Sequence, residues 1–287
     1  MSIIHRIFDW KGFPILIIVF WILFLVESKF DLRKRVQNKW QRSLVNNFVS
    51  IPSFILARFM FLPAMIWLTI QNEKLHFGLN YLYNLPGWLE ALITFLIFDY
   101  ANYIWHILNH RLPFLWRFHL VHHTDQDLDV TTAIRFHFGE LIGSLFFRGT
   151  FVFLSGASPL TVIIYEIIFE AEVLFHHSNT RLPLWLEKIL NLLIVTPRMH
   201  GIHHSIFKNE TDSNFSSVFS FWDRLHKTAK LNIPQDDIVI GVPAYSDNRE
   251  LSIGYLLKLP FTKIRRWKPG YFQRDNIKSQ DEEKLAE

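Results

Sequence analysis

The 287-residue chain contains no cysteine. That removes disulfide bridges, iron–sulfur clusters, haem–thiolate ligation and a cysteine nucleophile together. It also lacks HExxH, the helical signature of a common class of zinc hydrolases. No small-residue cleavage site follows the first apolar run, so that run is expected to be a membrane segment and not a signal peptide. No repeat is visible beyond one duplicated histidine pattern. What the chain does have is apolar bulk: half its residues are hydrophobic and 16% are aromatic, including 28 Phe and 10 Trp, a balance that suits a membrane protein. A net charge of +4 would also suit a nucleic-acid partner, but basic loops beside membrane spans give the same excess. Lipid is therefore the expected partner, and nucleic acid is not.

The apolar runs predict an all-α, multi-pass transmembrane bundle of about four to five membrane segments with a helical cap at one face. Gly12 to Val26 forms the first span, short of the usual ~20 residues, and Asn47 to Ile70 the second, interrupted by Pro52, Arg58 and Pro63. Leu85 to Leu108 is the third, Phe138 to Ser155 the fourth, and Leu160 to Phe175 returns as a full or shallow hairpin. Trp185 to Val195 and Leu251 to Phe272 read as interfacial helices, and the last residues as a solvated tail. Lys29, Arg33, Lys34, Arg35, Lys39 and Arg42 make the first loop strongly basic, which places it in the cytoplasm. Counting spans from there puts every candidate ligand at the cytoplasmic face. The implied division is membrane segments over 1–88, a catalytic part over 89–228 and a peripheral part over 229–287.

The organising feature is a set of histidines at helical spacings. His106 and His110 are four apart, and His119, His122 and His123 stand at i, i+3 and i+4, a pattern repeated by His200, His203 and His204. Thr196 suits an N-cap and Pro197 a first helical position, so the last three should ride the opening turns of a helix. These eight imidazoles exceed the roughly three to four protein ligands of one tetrahedral metal, and two metals are the simplest explanation. Imidazole suits iron, zinc, copper and nickel alike. Asp99, two helical turns before His106, is placed to receive a ligand's second ring nitrogen, or else to pair with Arg58 or water. Glu166, Glu170, Val173 and His177 share one helical stripe, which points carboxylates away from lipid and makes Glu170 a second candidate to support a ligand. His5, His76 and His226 stand outside these patterns and are read as structural.

The three boxes in this order resemble the fatty acid hydroxylase and sterol desaturase superfamily of integral-membrane, histidine-box di-metal oxygenases. Supporting matches are Asp99-Tyr100 and Tyr103, His110-Arg111, Leu115-Trp116, Arg135-Phe136-His137 ahead of Glu140, and Arg181-Leu182-Pro183. Asn214-Phe215 and Trp222-Asp223-Arg224-Leu225 resemble the family's closing signature, from which Leu225-His226-Lys227-Thr228 departs. The likeness runs from about Leu89 to Thr228. It implies that His177 is the ligand of the His176-His177 pair, and His137 is counted with the ligands because it completes ten imidazoles for two metals. It implies two iron ions, with zinc possible in isolated protein, O₂ as co-substrate, and hydroxylation of a fatty acyl, sterol or ether lipid. Desaturation at the same site is the alternative outcome. A membrane metal-binding or transport protein is the non-enzymatic alternative, and it should spread its ligands along a route through the midplane, whereas here they gather at one face. No haem or ferredoxin segment is visible, so a separate electron-donor protein is expected.

Overall fold

A computed structural model describes residues 13–274. His5 and the carboxyl-terminal tail lie outside the described residues, which are helical and irregular with isolated β-bridges and no strands. Helix α1 is Phe13–Lys29, α2 Lys39–Leu56, α3 Leu62–Leu75, α4 Leu79–Tyr83, α5 Gly87–Arg111, α6 Pro113–His123, α7 Phe138–Ser155, α8 Pro159–His177, α9 Leu184–Leu190 and α10 Pro197–His203.

Three helical stretches, Lys39–Tyr83, Gly87–Arg111 and Phe138–Ser155, are long and apolar enough to cross a membrane. The other two expected spans are also helical, but α1 has only 17 residues and α8 carries Glu166, Glu170 and Glu172. A π-turn over Ala57–Phe61 joins α2 to α3, with the Leu62 N–H donating to the Ala57 carbonyl. That wider turn comes just before Pro63, whose nitrogen has no proton for the α-helical ladder. The first turns of α2 lie in polar surroundings. Arg42 meets Asp125 at 3.0 Å and Asp129 at 2.7 Å, and Asn46 donates to Asp125 at 3.0 Å. Arg35 and Lys39 similarly pair with Asp129 and Glu27, so much of the basic loop is spent on internal ion pairs.

Prolines set the geometry at the functional end. Helix α5 stops at Leu112 because Pro113 cannot continue it, and Pro113 in turn occupies the first turn of α6. The sharp break brings His106 and His110 beside the α6 histidines. At the opposite end of the bundle, Gly78 and Gly156 take positive φ angles of 117° and 69°, and their backbones touch so closely that a Cβ on Gly78 would overlap Gly156. Asn80 fastens the same corner by donating to Thr94 at 3.1 Å and Glu90 at 3.3 Å.

Two sequence expectations change here. Leu251 to Phe272 is not one interfacial helix but short turns broken at Pro260 and Pro269, with Leu256 and Leu259 buried against Val49, Leu120 and Val121. Helix α9 covers only part of Trp185 to Val195, yet it leaves Leu184, Trp185 and Ile189 exposed, as an interfacial segment would.

Candidate metal centre

The structure sorts the histidines into two buried groups. His106 and His110 from α5, His119 and His123 from α6 and His203 from α10 form the first. His122 from α6, His177 from α8, His200 from α10 and His204 just beyond it form the second. Within each group the ligand-capable atoms all lie within 4.8 Å of one another. The division follows from helical geometry. At ~100° per residue, positions i and i+4 stand about 40° apart, while i+3 falls about 60° to the other side. Each HxxHH box therefore splits: His119 and His123 enter the first group and His122 the second, whereas His200 and His204 enter the second and His203 the first. The groups adjoin where the His123 and His204 rings stack at 4.4 Å.

Second nitrogens fix several tautomers. The Nδ1–H groups of His106, His203 and His177 donate to the carbonyls of Phe215 at 2.8 Å, Ser213 at 2.7 Å and Val173 at 2.8 Å. His119 Nδ1–H donates to Glu140 at 3.0 Å, and Asn109 steadies the same carboxylate at 3.2 Å. Since a carbonyl can only accept, the Nε2 of His177 must present a bare lone pair. It does so 3.0 Å from His122 Nε2 and 3.0 Å from His200 Nε2, which is itself 3.1 Å from His204 Nε2.

Lone pairs converging in this way repel unless a proton or a cation lies among them. Protons are disfavoured, because burial and then the neighbouring imidazoles push His122, His123, His200, His203 and His204 well below the ordinary imidazole range. Metal cations fit. Two nitrogens at about 2.1 Å from a common ion and at right angles would stand about 3.0 Å apart, and His110 Nδ1, His110 Nε2 and His203 Nε2 are buried without any hydrogen-bond partner.

Three of the expected site residues are placed elsewhere. His137 joins neither group: it is the N-cap of α7, where its Nδ1 accepts from the Gly139 N–H at 3.0 Å and its Nε2 faces the Leu257 carbonyl at 3.2 Å. Asp99 meets neither a histidine nor Arg58 among its hydrogen bonds. It accepts from the backbone of Val218 at 3.2 Å and Phe219 at 3.0 Å and from the Trp222 indole at 2.8 Å, tying α5 to the closing segment. Glu170 sits exposed on α8, near the Arg148–Glu166 ion pair, and His177 takes the Val173 carbonyl in its place.

The residue that does brace a histidine of the site, Glu140, has two signs in the sequence: an acid near the start of a largely apolar span, and its place just after Arg135-Phe136-His137. His176, set aside in the sequence, packs its ring 4.2 Å from that of His200. Asp223 receives the Phe215 and Ser216 N–H groups at 2.8 and 2.9 Å, and so holds the carbonyl that orients His106. Thr196 precedes α10 as expected, but its side chain does not cap the helix. His226 stacks with Tyr100 and Tyr103 and is hydrogen-bonded to Tyr100 at 3.1 Å, outside both groups.

The Fatty acid hydroxylase family model matches residues 91–228, the stretch that carries every histidine of both groups. Alkylglycerol monooxygenase of Homo sapiens is 26% identical over 193 residues, covering 62% of this chain and 39% of the relative. A cholesterol 25-hydroxylase-like protein of Danio rerio is 28% identical over 52% of this chain and 60% of its own length. Ornithine lipid hydroxylase OlsE of Rhizobium tropici is 30% identical over 49% of this chain and 41% of its own length. The chain thus spans about 39–60% of these relatives. No solved structure matches. With the three histidine boxes in the family's order inside it, the matched stretch of residues 91–228, just under half of the chain, is similar to the fatty acid hydroxylase and sterol desaturase superfamily, as the relatives are.

Proposed function

We propose that this chain is an integral-membrane lipid hydroxylase that uses O₂ and two iron ions to oxidise a C–H bond of a fatty acyl, sterol or ether-lipid substrate. The observation that carries the reading is the pair of buried imidazole groups, where nitrogen lone pairs meet at 3.0–3.2 Å. His106, His110, His119, His123 and His203 would hold one ion, and His122, His177, His200 and His204 the other. When bound, redox-active ions supply the O₂ activation that an unactivated C–H bond requires. The chain's own groups orient the rings through Glu140 and the carbonyls of Phe215, Ser213 and Val173, and keep the nitrogens buried from water. The names of the relatives support a lipid substrate, each being a monooxygenase or hydroxylase.

On this reading residues 1–88 serve as membrane anchorage, 89–228 carry the chemistry, and 229–287 close over it from the periphery. The histidines face the cytoplasm, in keeping with Lys29 and Lys34 beside α1, and electrons come from a separate protein. Lipid mass spectrometry of cells with and without the chain tests the activity, and a product heavier by one oxygen is expected. His203→Ala should abolish that product at matched membrane expression, because its Nε2 is one of the unpartnered buried nitrogens. Full product formation by His203→Ala would sink the assignment.

A further inference from the structure

We infer that Arg33, which lies outside the matched family stretch, is the positioning residue that assembles the second histidine group by joining the chain segment after His177 to the helix bearing His200 and His204. The inference rests on the two-metal reading above.

Arg33 is only 5% exposed. Its backbone N–H donates to Asn179 Oδ1 at 2.9 Å, its carbonyl accepts from Asn179 Nδ2 at 2.8 Å, and the preceding Leu32 N–H donates to the Asn179 carbonyl at 2.7 Å. Asn179 follows His177 by two residues, so this triple contact fixes the end of α8. The side chain then turns to the third box. Its Nη1 donates to Gln235 Oε1 at 2.6 Å and to the Pro197 carbonyl at 3.2 Å, at the first turn of α10. The guanidinium lies against Gly201, so close that a Cβ there would overlap it. A single residue therefore bridges two of the three chain segments that supply the second group.

The first group contains no ligand from α8 and one from α10, His203, whose ring is separately anchored on the Ser213 carbonyl at 2.7 Å, while its α5 and α6 members are held by the Pro113 break and by Glu140. Arg33 thus bears on one group far more than on the other. Burial and the nearby Arg198 pull its guanidinium down to about 10, and it remains a cation at neutral pH. Keeping a cation buried is costly, and its use as a tether gives that cost a purpose.

The experiment loads full-length protein in detergent with ferrous iron under anaerobic conditions and measures ions per chain and the affinity of each binding step. Wild type should bind two ions. Arg33→Ala should retain the first and lose the second, and Arg33→Lys, which keeps the charge but not the planar fork, should weaken the second step by at least about tenfold while leaving the first unchanged. Gly201→Ala should reproduce the loss by displacing the guanidinium. Added to Arg33→Ala it should cause no further loss, because the guanidinium is gone and its Cβ then meets only the end of the Gln235 side chain, 3.3 Å away. Two ions bound with wild-type affinity by Arg33→Lys, or losses that simply add in the double variant, would overturn the proposal with the two-metal reading intact. Wild type binding at most one ion overturns the two-metal reading and this proposal with it.

Discussion

The two histidine groups differ in how they are held. In the first, three of five rings are anchored through Nδ1, to Phe215, Glu140 and Ser213, all from chain that packs directly on α5, α6 or α10. In the second, only His177 has such an anchor, the Val173 carbonyl of its own helix, whereas the Nδ1 atoms of His122, His200 and His204 are buried without a partner. Those rings are located by packing: His122 stacks on Phe136 at 4.6 Å, His204 on His123 at 4.4 Å and His200 beside His176 at 4.2 Å. Hydrogen bonds fix a ring's rotation and leave its other nitrogen as a lone pair, and stacking fixes only its plane. The first group is therefore the more preorganised, and it has a ring to spare.

Removing one ligand from each group sharpens that contrast most. His204→Ala leaves three rings in the second group, and the expected outcome is one ion lost per chain by elemental analysis. His110→Ala leaves four rings in the first group, three of them still anchored through Nδ1, and two ions should remain. The reverse pattern would show that packing holds imidazoles better than hydrogen bonds do.

A smaller effect comes from the anchor itself. Glu140→Gln keeps the shape but weakens the acceptor facing His119, so affinity for the ion in the first group should fall about 10–100-fold with the second unaffected. Competition against a calibrated chelator reads this directly. An equal fall at both steps would mean that Glu140 acts on the whole fold.

The smallest expected change is at His137. Its loss removes a helix cap, so His137→Ala should lower stability by about 1 kcal/mol, seen as a small drop in melting temperature, while ion content stays at the wild-type value. Loss of an ion in this variant would restore it to the ligand set.

Much of this arrangement was legible before any coordinates, because it is local. The i, i+3, i+4 spacings of the HxxHH boxes announce shared helix faces, and Pro113 and Pro197 mark where α6 and α10 begin. What escaped depends on partners far along the chain. Asp99 is matched to Val218, Phe219 and Trp222, more than a hundred residues away, and helical spacing alone pointed it at His106. His137 sits in a histidine-rich neighbourhood, and nothing in RFHFGE distinguishes a cap from a ligand. Arg33 looked like one of six cations in a loop. Its burial against Gly201 becomes visible only once the loop after α1 is packed against α10.

The glycine clasp at the opposite corner decides where topology can be mapped. With Gly78 and Gly156 in backbone contact and Asn80 bonded to Glu90 and Thr94, a reporter inserted at Asn80 would pry open the junction whose sidedness it was meant to report. Leu82 and Tyr83 are 75% and 65% exposed on the same turn, and they are the positions where a tag can be carried without disturbing the bundle.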